Sequence, residues 1–177
     1  MTNIKTVSSS TLFKGKVFDL VEDRVVLPDG KTRVHITVKH PGAVVIVPQA
    51  QSGALIMVHQ YRHSVGETIF EFPAGTLVPG EDPLACAKRE LREETGRTAI
   101  NWTELGNMYP APGFCSELQR VYFASGLAAS TQQLDEDEVI EVVEFEAGKI
   151  EEMISQGVIT DGKSIAGFFK AKLKKLI

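Results

Sequence analysis

Four glutamates and an arginine fall in one short stretch of the chain: Glu81, Arg89, Glu90, Glu93 and Glu94. The last three glutamates are spaced i, i+3 and i+4, so on a helix they project from neighbouring turns of one face. Carboxylates so placed repel one another unless a cation lies among them. Hard divalent ions take oxygen ligands, and Mg²⁺ in particular keeps waters and bridges a few carboxylates to substrate phosphates. The pattern points to metal-assisted chemistry on phosphates.

The element that must carry these groups is a helix with matching start and stop signals. Asp82 is placed to cap its N-terminus, Pro83 occupies the first position where a missing N–H costs nothing, and Gly96 stands where a left-handed residue ends the helix. Leu84, Ala87, Leu91 and Thr95 share one face and are expected to meet the core, with Glu90, Glu93 and Glu94 on the other. Cys86 reads as a small packing residue. A strand from Thr68 to Phe72 runs into Pro73-Ala74-Gly75, so the acidic stretch is strand, loop, helix.

Around this unit the pattern alternates strands and helices. Residues 11 to 40 alternate apolar and polar types about a turn at Leu27-Pro28-Asp29-Gly30-Lys31, which predicts an antiparallel hairpin. Ala43 to Val47 is a short β-branched run of the kind that fills a sheet interior, and Ala54 to Arg62 follows as a second strand. Further strands are expected at Ile100–Met108, Val121–Ala124 and Val139–Phe145, with helices at Ala147–Ser155 and about Asp161–Lys175. His59 and His63 fall on a strand with no third ligand nearby in sequence and read as ordinary strand residues.

Gly75, Glu81, Arg89, Glu90, Leu91, Glu93, Glu94 and Gly96 together resemble the Nudix box: Gly, five residues, Glu, seven residues, then Arg-Glu-aliphatic-any-Glu-Glu-any-Gly. Arg97 stands where the family usually has an aliphatic residue, a change that touches packing beyond the helix. The resemblance implies an α/β (α+β) Nudix fold, an α/β/α sandwich with a mixed sheet, here preceded by an N-terminal antiparallel hairpin module. The implied boundaries are 1–42 for the hairpin and 43–177 for the catalytic domain. KHPGAV at Lys39–Val44, FEFPAG at Phe70–Gly75, the Pro112-Gly113-Phe114 turn and LDEDE at Leu134–Glu138 resemble the branch that hydrolyses ADP-ribose and other nucleoside-diphosphate sugars.

That branch implies roles for residues of this chain. Glu90 and Glu94 would be principal ligands of Mg²⁺, with Mn²⁺ an alternative, joined by the carbonyl of Ala74; Glu93 would be a ligand or helper. Arg89 with Glu81 would orient loop on helix. The general base would come from an acidic loop, Glu136 first and Glu138 second, with Glu117 an alternative base or ribose contact. Arg62 would contact phosphate or ribose, Phe18 and Phe114 are stacking candidates, and His35 is a further candidate substrate contact. Relatives often read adenine with an Arg-Glu pair where this chain has His35-Ile36-Thr37, and often have an acidic residue where it has Val78. These departures leave GDP-mannose or a broad range of nucleotide sugars open beside ADP-ribose, whose products would be AMP and ribose 5-phosphate. A non-catalytic nucleotide-sugar-binding regulator is the rival of another class, and a triphosphate or RNA-cap hydrolase a further one. The hairpin implies a homodimer with the hairpin swapped.

Composition agrees with such a protein. At 177 residues, 43% hydrophobic and 24% charged, the chain suits a globular domain with a sizeable core. A net charge of -4 and no basic stripe argue against a nucleic-acid partner. No apolar run approaches the ~20 residues of a membrane-spanning helix, and two cysteines are too few for a disulfide framework. A cytoplasmic protein is expected.

Overall fold

The computed structural model describes residues 4–134 and 139–177, and the chain divides into two compact units. The first comprises Met1–Gly42 with Tyr109–Leu118, the second Ala43–Met108 with Gln119–Ile177. In the first, β1 (Lys5–Lys14), β2 (Asp19–Val26) and β3 (Thr32–Lys39) form an antiparallel sheet in that order. The expected hairpin is thus β2–β3, closed by a turn in which Gly30 adopts φ 81° and the Leu27 amide donates to the Lys31 carbonyl. β1 was not expected. KTVSSSTLFK has no clean apolar alternation and every residue is exposed, so pairing with β2, not burial, holds it. Val38 exchanges backbone hydrogen bonds with the segment that begins at Tyr109, accepting from Ser116 and donating to Phe114.

The second unit is built on β4 (Ala43–Pro48), which is buried throughout because both of its faces are covered. It pairs in parallel with β9 (Gln119–Ala129) and antiparallel with β7 (Ala74–Thr76), while β8 (Arg97–Met108) adds beyond β9, giving a mixed sheet. A second sheet has the order β10-β5-β6, from Ile140–Phe145, Leu55–Arg62 and Glu67–Glu71. Alternation along β4 sorts the core. Val44 and Ile46 pack with Cys86, Ala87 and Leu91 of α1 (Pro83–Thr95). Val45 and Val47 pack with Leu55, Met57 and Phe72, with Ile150 of α2 (Ala147–Ser155), and with Phe168 of α3 (Gly162–Leu173). Helices therefore cover both sides of the mixed sheet, in the α/β/α arrangement of the Nudix fold.

β8 and β9 are longer than their apolar cores suggest. β8 starts directly after the helix cap and carries a register shift between Glu104 and Gly106, where Gly106 takes φ 91°, the sign of a bulge. Among the described residues no helix is long and apolar enough to cross a membrane.

Candidate active site

The site grows from a short backbone path in the second unit. β6 leads through Phe72 and Pro73 into β7, which the Pro73 carbonyl ties to β4 by accepting from the Ile46 amide at 2.8 Å. α1 then begins at the expected cap: the Asp82 side chain accepts from the Ala85 amide at 3.0 Å, and Gly96 ends the helix with φ 63°. Leu91, Ala87 and Thr95 are buried as expected. Glu94 is a correction to the two-faced helix, because it is only 3% exposed and its Oε2 accepts from the Ala74 amide at 3.1 Å. Its carboxylate is turned onto the loop rather than outward, and this bond offsets the cost of its burial.

Arg89 is the hub of the other carboxylates. Its Nε donates to Glu81 Oε1 at 3.1 Å and its Nη2 to Glu81 Oε2 at 3.2 Å, a fork that pins the loop to the helix. Nη1 reaches Glu90 at 2.6 Å and Glu93 at 3.1 Å. Glu81 also accepts from the Val78 amide, while the Val78 side chain is exposed. The Glu81 hydrogen bonds first, and then the Glu90 charge, hold the Arg89 guanidinium firmly protonated against the effect of burial. Arg89 in turn keeps the Glu81 carboxyl below the usual range. Burial pushes the Cys86 thiol up to about 12, so it sits under Arg89 as a neutral packing group.

Gly75 explains how Glu90 reaches the loop. A Cβ on Gly75 would lie 1.9 Å from Glu90 Cδ and Oε1, so the absence of a side chain is what admits the carboxylate. Glu90, Glu94 and the loop around Ala74 are thereby brought together.

The donor set suits a hard divalent ion. Four carboxylates, Glu81, Glu90, Glu93 and Glu94, are offset by two guanidiniums, Arg89 and Arg92, the latter on Glu93 at 3.1 Å. Among the described residues no three acidic, histidine or cysteine side chains converge at metal distance. Mg²⁺ does not require that, since it commonly takes one or two carboxylates together with substrate phosphates and water. Glu90, Glu94 and a backbone carbonyl fit it.

One cluster was not anticipated. Glu71, only 2% exposed, accepts from Arg62 Nε at 2.8 Å and from Arg62 Nη2, and from Lys163 Nζ at 2.7 Å. Lys163 also bridges to Asp161, which caps α3 by accepting from the Ser164 amide at 3.0 Å. Arg62 thus sits on β5 as expected, with its side chain on Glu71. An acidic residue inside the apolar run FEFPAG was the available signal.

A second feature is the segment after β9. The Gln133 amide donates to the Glu93 carbonyl at 3.0 Å, the Gln132 side-chain amide to the Glu94 carbonyl at 2.6 Å, and the Ser130 amide to the Gly96 carbonyl at 2.7 Å. It therefore satisfies the last carbonyls of α1. Glu136 and Glu138, a few residues on, lie outside the described residues. The remaining candidates belong to the first unit. His35 is opposite Asp23 on β3, Phe18 precedes β2, and both Phe18 and Phe114 are exposed. The Glu117 amide donates to Cys115 Sγ at 3.4 Å. Arg97, the departure at the end of the box, opens β8 with its guanidinium 3.6 Å from Glu144.

Comparison with known proteins is consistent along the chain. The NUDIX domain model matches residues 38–166, and the model of the nucleoside diphosphate sugar hydrolase N-terminal domain matches residues 4–35. An ADP-ribose pyrophosphatase of Bacillus subtilis (strain 168) is 38% identical over 175 residues, covering 98% of this chain and 95% of the relative. A methanol dehydrogenase activator of Bacillus methanolicus is 37% identical over 163 residues, 91% of this chain and 88% of the relative. A solved ADP compounds hydrolase superposes with a TM-score of 0.84 at 22% identity, covering 96% of this chain and 92% of that one.

Proposed function

The chain belongs to the NUDIX family and is a hydrolase of that family; from that premise we propose that its substrates are nucleoside-diphosphate sugars, with ADP-ribose foremost, cleaved to AMP and ribose 5-phosphate. The observation that carries this reading is the gathering of Glu90 and Glu94 onto the Ala74–Gly75 loop, where oxygen donors suited to a hard divalent ion meet. The match of residues 4–35 to the nucleoside diphosphate sugar hydrolase N-terminal domain and the 38% identity to an ADP-ribose pyrophosphatase support the substrate class.

In this reading Glu90, Glu94 and the Ala74 carbonyl hold Mg²⁺ or Mn²⁺, and Glu93 assists. When bound there, such an ion would supply charge neutralisation for a diphosphate and would favour ionisation of a water. Arg89, clamped by Glu81, keeps the carboxylates in register before the ion arrives. Arg62 presents a guanidinium to the diphosphate, since Glu71 occupies only its Nε and Nη2 side. Glu136, or failing it Glu138 or Glu117, takes the proton of the attacking water as one P–O bond of the diphosphate forms and the bridging P–O bond breaks. Phe18, Phe114 and His35 are the proposed contacts to base and sugar. The protein is proposed to act in the cytoplasm as a homodimer through its first unit.

The test is turnover of ADP-ribose with excess Mg²⁺. Glu90→Gln and Glu94→Gln are each expected to lower kcat/KM by about a thousandfold or more, on the scale of losing several kcal/mol of charge stabilisation. Wild-type turnover in both would sink the metal-site reading. Relative kcat/KM across ADP-ribose, GDP-mannose and other nucleotide sugars fixes the substrate. The similarity to a methanol dehydrogenase activator favours a second reading, in which the chain acts on a partner enzyme. Phosphate ester release that is abolished by EDTA decides for catalysis, because a purely regulatory protein would release none.

A further inference from the structure

Arg62 is held by a carboxylate that faces almost no solvent. Glu71 is 2% exposed and carries three hydrogen bonds from two cations: Arg62 through Nε and Nη2, and Lys163 through Nζ. Burial alone would push the Glu71 carboxyl up, but the Arg62 hydrogen bonds and the Lys163 charge outweigh it and hold it below the usual range. Such a group is costly to keep unless its geometry is fixed, and here both ends are fixed. One end is the cap of α3. Asp161 accepts from Ser164 and Lys163, and the Ser164 hydroxyl accepts from the Phe72 amide at 2.7 Å. The other end is the loop itself, since Glu71 is followed by Phe72, Pro73 and then Ala74, whose amide binds Glu94. The same few residues therefore lock α3, the loop under the box carboxylates and the Arg62 guanidinium.

The pairing also decides which edge of Arg62 is presented. Glu71 takes the Nε/Nη2 side, and Nη1 has no hydrogen bond among the described residues while the Arg62 side chain is 38% exposed. A guanidinium gripped along one edge offers the Nη1/Nη2 edge as a second fork, the geometry that matches two oxygens of a phosphate. Lys163 has a separate part. Its side chain is only 14% exposed and it shares its charge between Glu71 and Asp161, so it balances the carboxylate rather than facing a ligand.

We propose that Glu71 is a positioning residue for hydrolysis: backed by Lys163, it fixes the Arg62 guanidinium edge-on for the substrate's diphosphate and ties that edge to the Ala74 loop. This rests on the reading of Arg62 as a diphosphate contact, and the two are separable by a double-mutant cycle on kcat/KM for ADP-ribose, with melting temperatures measured alongside. Arg62→Ala, Glu71→Gln and the pair are compared with the unaltered protein in Mg²⁺. Each single change is expected to lower kcat/KM by about 10- to 100-fold, the worth of a charge-assisted fork, and the pair to lose no more than Arg62→Ala alone. If Arg62→Ala leaves kcat/KM unchanged, the diphosphate reading of Arg62 fails, and this proposal with it. If Arg62→Ala is impaired but Glu71→Gln is not, or if the two losses multiply, only the positioning role of Glu71 is overturned. Should Glu71→Gln fail to fold, Glu71→Asp replaces it in the cycle. It keeps the buried charge while shortening the reach, so the same non-additive loss is expected, and wild-type kcat/KM in Glu71→Asp would overturn the proposal.

Discussion

At Gly75 a single methyl group would separate stability from activity. Its Cβ would meet Glu90 Cδ and Oε1 at 1.9 Å, and no backbone atom is among its nearest neighbours. The far end of a glutamate side chain can swing away at small cost, so Gly75→Ala is expected to fold with a melting temperature within about 4 °C of the parent, roughly 1 kcal/mol for a domain of this size. The displaced Glu90 is then out of register with Glu94 and Ala74, and kcat/KM for ADP-ribose is expected to fall by about a hundredfold or more. A large loss of stability with full activity in the folded fraction would contradict this account of the glycine. Arg89→Lys probes the same register from the other side. An ammonium cannot reproduce the fork on Glu81 while also reaching Glu90 and Glu93, so activity should fall by roughly 10- to 100-fold although the charge is kept. Steady-state kinetics of the purified variant checks it. These residues were legible in the sequence because their chemistry depends on local spacing within one loop and one helix. Glu71 was not, because its partners Arg62 and Lys163 come from another strand and another helix, and no local period marks a carboxylate that long-range pairing makes tolerable.

Among the elements, α1 has a side-chain cap at its start and a left-handed glycine at its end, and those ends are where the sequence was most readable. Asp82, Pro83 and Gly96 act through local backbone geometry, so their roles follow from residue type alone. Asp82→Ala removes the acceptor of the Ala85 amide and is expected to cost about 1 kcal/mol, a fall of about 2–4 °C in melting temperature measured by calorimetry. The strands were readable where one or both faces are buried, as in β4 and β5, and not where pairing alone sustains them, as in β1 and the ends of β8 and β9. The junction of β6 with α3 gives a pH dependence. Glu71 has a carboxyl pKa lowered by its cations from an ordinary value of 4.5, so the folded state binds fewer protons there than the unfolded chain. Its stabilising contribution is whole above that ordinary value and is lost as the pH falls through the lower, folded value. Stability measured by urea unfolding is thus expected to decline below about pH 4.5 more steeply in the parent than in Glu71→Gln.

At the scale of the whole molecule, the first unit bears more exposed apolar surface than a free sheet needs. Leu12 and Phe13 on β1 and Val34 and Ile36 on β3 are each about half exposed or more, between 49% and 57%. Apolar side chains gathered on one small antiparallel sheet mark an association surface, and β1, with every residue exposed, is the strand that a second copy would cover. The proposed homodimer is compatible with this surface, and residues 4–35 match the nucleoside diphosphate sugar hydrolase N-terminal domain. A dimer or a swap of the unit would not be written in local sequence patterns, because either would depend on what a second chain places opposite these residues. Phe13→Glu or Ile36→Glu would put a charge on that surface and leave every residue of the box unchanged, since the box belongs to the second unit. Sedimentation velocity of the parent is expected to give a species of twice the chain mass of 19.4 kDa, and either variant to shift it toward the monomer. A parent that sediments as a monomer at micromolar concentration and is fully active would instead leave the exposed sheet to another partner and the box to work within one chain.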